Sequence, residues 1–132
     1  RNLLVQALYQ WQLADGLAHD IEAQFRADNA AKIDWVFFHQ ALKHIITNSE
    51  EIDKTFADKL DRGLDQLDPI ELALLRLGIF EFTERIDVPY KVVINEYVDL
   101  AKKYGATDSH KYINGVLDKL AKQYRALEIE NA

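Results

Sequence analysis

Four histidines, His19, His39, His44 and His110, are the side chains best suited to metal or proton chemistry, and their spacing favours neither. His39 and His44 stand five residues apart, off a common helical face, and no His-Glu-x-x-His pair or His/Cys cluster occurs. Asp61, Asp65 and Asp68 could imitate a carboxylate site, but a solvated acidic face with a helix cap explains them more simply. Gly63, Gly78, Gly105 and Gly115 stand alone, so no glycine-rich phosphate loop is expected. The expectation is a protein that is not an enzyme and has no metal and no cofactor. What remains is binding chemistry, concentrated in Asp108-Ser109-His110-Lys111-Tyr112 at a helix start, with Lys102, Lys103 and Tyr104 just before it. Helix amides and lysines suit phosphate, and tyrosine rings suit unstacked bases.

The chain that must hold these residues has 132 positions, 48% of them hydrophobic, enough for one core and short for two. Cysteine is absent, which excludes disulfides and thiolate ligands and fits a cytoplasmic protein. No apolar run approaches the roughly 20 residues of a membrane span. The net charge of −6 argues weakly against indiscriminate nucleic-acid binding, but the charge is uneven. Glu50 to Glu71 holds eight acids against three bases, and Lys102 to Arg125 holds six bases against two acids. A protein partner and RNA both remain open on these grounds.

The pattern is helical throughout. Leu4, Leu8 and Trp11 mark a first helix ending near Asp15-Gly16, and Ile21 to Phe25 a short second one. Asp34 to Thr47 reads as a long helix that Asp34 caps, followed by one that Ser49 caps, with Ile52, Phe56 and Leu60 inward. Asp68-Pro69-Ile70-Glu71 has the form of a capping box with proline at the first helical position. The helix it opens, to about Glu84, is apolar on most sides and should be central. Arg76 within it must pair with an acid or face a partner. A further helix runs from Val88-Pro89 to a glycine cap at Gly105, and the last from Asp108 or Ser109 to about Arg125. Asn95 and Asn114 are expected to brace the core or bond between helices, with ligand contact as the other reading, and Gly78 and Gly115 to mark close helix packing.

Four segments in order, Val5–Leu13, Leu67–Gly78, Asp87–Glu96 and Asp108–Lys119, resemble the NusB family of bacterial transcription antitermination and termination factors. The resemblance spans nearly the whole chain. It implies one domain over 1–132, an all-α compact fold of six to seven helices in two bundles around a central helix. It also implies a role: binding the boxA element of nascent RNA together with NusE, a small-subunit ribosomal protein. Other Nus factors and RNA polymerase are engaged indirectly, so that transcription of ribosomal RNA stays processive.

By motif position the RNA-facing residues would be Arg1, Tyr9, Gln10, Asp108, Ser109, His110 and Lys111, with Asp108 hydrogen-bonding a base edge rather than neutralising phosphate. The NusE side would involve Glu71, Arg76 and Tyr112. Arg1 alone represents the family's N-terminal arginine run, and Tyr112 stands where the family has Phe. Two other readings share the fold: an accessory domain of a ribosomal RNA cytosine methyltransferase, and a self-associating structural protein or homodimer. A chain ending at Ala132 without a cofactor-binding sheet counts against the first.

Overall fold

A computed structural model describes residues 1–29 and 31–131, and it is all-α. In chain order the helices are α1 (Asn2–Ala14), α2 (Ala18–Asp28), α3 (Trp35–Thr47), α4 (Ser49–Phe56), α5 (Pro69–Glu84), α6 (Tyr90–Tyr104), α7 (Ser109–Tyr124) and α8 (Ala126–Glu130). Short 3₁₀ turns at Ala57–Lys59 and Leu64–Gln66 carry the chain from α4 to α5. The helix count exceeds the six or seven expected. The added piece, α8, has five residues, too few to show a periodic apolar stripe.

α5 is the axis. Every residue from Ala73 to Phe82 is buried, because α1, α3 and α4 cover it on one side and α6 and α7 on the other. Its start follows the expected chemistry: the Glu71 amide donates to Asp68 Oδ1 at 2.8 Å, and the Asp68 amide donates to Glu71 Oε1 at 3.3 Å. Asp34 caps α3 by accepting from the Phe37 amide at 3.0 Å. Ser49 does not cap α4; Asn48 occupies that position and Ser49 is already helical. Leu60 lies beyond α4, which ends at Phe56, and is half-buried.

Two expected close approaches divide. A β-carbon on Gly78 would stand 2.5 Å from Leu117 Cδ2, so α5 and α7 meet where the side chain is missing. Around Gly115 nothing lies within 4 Å. Gly115 and Asn114 are exposed because α7 turns Ile113, Val116, Leu117 and Leu120 inward, which places these two on the opposite arc. Asn95 is exposed on α6 for the same reason, with Val93, Ile94 and Tyr97 inward. Neither asparagine braces the core.

Gly105 ends α6 in extended backbone, and its lack of a side chain serves proximity: a β-carbon would meet the Ala101 carbonyl oxygen at 2.7 Å and Ser109 Cβ at 2.9 Å. This tight corner draws the start of α7 against the end of α6.

Candidate nucleic-acid interface

The end of α6 and the outer face of α1 border one cleft of about 490 Å³. Gln6, Tyr9 and Gln10 of α1, Phe25 of α2, Ile70 of α5 and Tyr104 of α6 line it. Residues four apart on a helix share a face, which brings Asn2, Gln6 and Gln10 into register along α1. The Tyr104 hydroxyl donates to Asn2 Oδ1 and accepts from Gln6 Nε2 at 3.1 Å, tying the end of α6 to α1. Gln10 donates to Gln24 Oε1 at 3.2 Å, and the Lys103 ammonium lies 5.2 Å from the centre of the Tyr104 ring. Tyr9 is exposed beside them. Aromatic faces, side-chain amides and lysines are the groups that hold single-stranded RNA.

At the corner itself, Asp108 occupies the N-cap position of α7 without its side chain capping the helix. Its exposed carboxylate pairs loosely with Lys111, 3.5 Å away. His110 is half-buried and Lys111 exposed. Ser109 differs from its neighbours: it is buried, and its hydroxyl donates to Glu71 Oε2 at 3.1 Å. It therefore fastens the corner to the start of α5 instead of facing outward.

Arg1 lies apart from the cleft chemistry. Its guanidinium makes two hydrogen bonds to the buried Glu81 carboxylate, at 2.9 and 2.8 Å, and Tyr97 donates to the same carboxylate from the other side. The bond to Glu81 holds the Arg1 pKa above the usual arginine value. An acid inside the apolar run Ile79–Phe82 was the sequence signal for this partner, and it was missed.

The second group of residues gathers where α5 begins. Glu71 is buried, its oxygens serving Asp68 and Ser109. Arg76, also buried, forms a two-bond ion pair with Asp53 of α4 at 2.9 and 2.8 Å and donates to Gln12 Oε1 at 3.1 Å. Gln12 in turn donates to the Pro69 carbonyl at 2.7 Å, so α1, α4 and α5 are joined through one guanidinium. Of the two readings the sequence left for Arg76, the structure shows the acid pair. The Tyr112 ring lies half-buried beneath the Arg62 guanidinium, 4.1 Å away, and its shielded hydroxyl has no hydrogen-bond partner among the described residues. Burial raises the Tyr112 pKa, while the Asp61 carboxylate, bonded to Arg62 at 2.8 Å, is held below its usual value.

Among the described residues, no group of three His, Cys, Asp or Glu side chains is placed to hold a metal ion, and no helix is long and apolar enough to cross a membrane. His39 instead bonds Glu22 at 2.6 Å, and His44 faces Glu84 at 3.8 Å.

Helices enclosing a buried axis, with aromatic and amide side chains lining an outer cleft, define an all-helical class of fold. Residues 1–122 match the NusB family. Transcription antitermination protein NusB of Pseudomonas savastanoi is 51% identical over 131 residues, covering 98% of this chain and 79% of the relative. The NusB of Alcanivorax borkumensis is 52% identical over 129 residues, covering 97% and 86%. The structure of NusB from T. maritima superposes with a TM-score of 0.80 at 27% identity, covering 92% of this chain and 88% of that one. The chain belongs to the NusB family of transcription antitermination factors.

Proposed function

We propose that this chain binds boxA RNA together with NusE and so supports processive transcription of ribosomal RNA, with other Nus factors and RNA polymerase engaged through that pair. The observation that carries the reading is the Ser109–Glu71 hydrogen bond, which joins the proposed RNA corner to the helix start proposed for NusE. Tyr9 and Gln10 offer a ring and an amide to bases, Lys111 offers charge to phosphates, and His110 offers a ring N–H. Asp108 accepts from a base edge. Ser109 acts from beneath by holding the corner in place. Arg1, bonded to Glu81 through Nε and one terminal nitrogen, fixes the start of α1 and offers RNA the rest of its half-buried guanidinium.

On the NusE side stands the half-buried Tyr112 ring with the Arg62 guanidinium over it, Glu71 and Arg76 setting the surface through Ser109, Asp53 and Gln12. A chain of net charge −6 suits modest RNA affinity that a partner strengthens. Lys111→Ala is expected to weaken boxA RNA and to reduce the salt slope by about one phosphate contact, leaving NusE affinity unchanged. Arg76→Ala, which releases Asp53 and Gln12, is expected to weaken NusE first. Titration of both variants against each ligand checks the division; equal losses on both ligands would refute it.

A further inference from the structure

The cleft between α1 and α6 has a polarity that the family resemblance does not assign. Three side chains set it: Asn2, Gln6 and Tyr104. Asn2 Oδ1 accepts from the Tyr104 hydroxyl and, at 3.4 Å, from Gln6 Nε2, while that same hydroxyl accepts from Gln6 Nε2 at 3.1 Å. An amide carries a donor end and an acceptor end, and here the donor end of Gln6 is committed to both neighbours. Its carbonyl oxygen has no partner among the described residues, and Gln6 lines the cleft. The Tyr9 and Tyr104 rings line the same space, and Lys103 stands over the second of them.

We infer that this cleft takes one unstacked RNA base whose amino group stands at the adenine N6 or cytosine N4 position, where guanine and uracil carry an acceptor oxygen, with Tyr104 as a stacking wall and Gln6 as the specificity-determining acceptor. The inference rests on the RNA-binding reading above and deepens it. Cytosine N4 and adenine N6 are donors, whereas the corresponding position of uracil is an acceptor and would face the Gln6 oxygen with like polarity. Stacking by itself accepts any base, so the discrimination comes from the amide and its orientation from Tyr104. Tyr104 therefore has two functions: its ring stacks, and its hydroxyl fixes which end of Gln6 the base meets.

The test uses the full chain with NusE bound and a labelled boxA-containing RNA, read by fluorescence anisotropy at fixed salt. Each adenosine is replaced in turn by purine riboside and each cytidine by pyrimidin-2-one riboside, which lack only the amino group. One replacement is expected to weaken binding about tenfold in the unaltered protein, the loss of a hydrogen bond that leaves a polar group unpaired. In Gln6→Ala that same replacement should change affinity less than about twofold, because its partner is gone. Tyr104→Phe keeps the ring and frees the amide to turn, so the ratio between unmodified and amino-free RNA should also fall to about twofold. Gln6 is exposed and both changes are small, and thermal melts verify that each variant is folded.

RNA binding that ignores every replacement, or a sensitivity that persists undiminished in Gln6→Ala, would overturn the inference and leave the RNA-binding reading standing. Sensitivity that appears instead on removing a uracil carbonyl would also overturn it, since the network would then run with the Gln6 nitrogen outward. Failure of the unaltered protein to prefer boxA over scrambled RNA would overturn both.

Discussion

Arg125 shows how one residue can close a helix that it does not belong to. The guanidinium donates to the carbonyls of Glu81, Phe82, Arg85 and Val88, at 3.1, 2.8, 2.9 and 2.8 Å, and pairs with Glu128. The Glu81 and Arg85 carbonyls also accept from the Arg85 and Val88 amides, at 3.1 and 3.0 Å, so the buried cation completes the bonding at the helix end and complements its dipole. Arg125→Ala is expected to reduce stability by about 3 kcal/mol or more, seen as a lower urea midpoint with an unchanged slope.

Tyr97 gives a residue-level pH prediction. It is fully buried, and burial, then the charge of Glu81, raises its pKa well above the ordinary 10. A phenol that ionises more readily unfolded than folded leaves stability intact below pH ~10 and erodes it as pH climbs beyond. Tyr97→Phe should lessen this alkaline loss while lowering stability at neutral pH by about 1–3 kcal/mol, because Glu81 loses a donor. Urea melts from pH 7 to 11 on both proteins would show the difference. Equal alkaline slopes would refute the assignment.

Between elements, the two helical glycines make opposite predictions from the same substitution. Gly78→Ala must displace Leu117 from a 2.5 Å approach, and since Leu117 Cδ2 is the end of a side chain the cost should be about 1–3 kcal/mol. Gly115→Ala meets nothing within 4 Å and should raise stability by about 0.5–1 kcal/mol through helix propensity. Thermal melts of the pair would test the helix geometry directly. From sequence the two looked alike, because a glycine inside an apolar pattern does not reveal which side of the helix it occupies.

The same limit explains Asn95 and Asn114, whose apolar neighbours in sequence lie on the other face. Helix starts were legible because their signal is local: Asp68, Pro69 and Glu71 lie within four residues. The Arg76–Asp53, Arg1–Glu81 and Arg125 networks span 23 to 80 positions and depend on packing that no spacing rule encodes. Ser109 was legible as part of the corner, but its burial against Glu71 was not.

At the scale of the whole molecule, the axis α5 gives each end a separate task. Its N-terminal end carries Glu71, bonded to the α7 corner, and its C-terminal end is closed by Arg125. On the proposed reading, RNA and NusE meet at the N-terminal end of this helix. Ser109→Ala separates these effects: Glu71 keeps its bond to Asp68, so the cap survives while the link between corner and axis is lost. The expected outcome is a fold destabilised by about 1 kcal/mol and a loss of the assistance that NusE gives to RNA binding. Calorimetric titration of RNA with and without NusE measures that assistance as a ratio of affinities.

Assisted recognition of boxA is open to a single titration. The protein is titrated against boxA RNA and a scrambled RNA of the same length, with and without NusE, at one salt concentration. Binding to boxA is expected to be tighter than to the scrambled strand, with the difference widened by NusE. Equal affinity for the two strands under both conditions would contradict it.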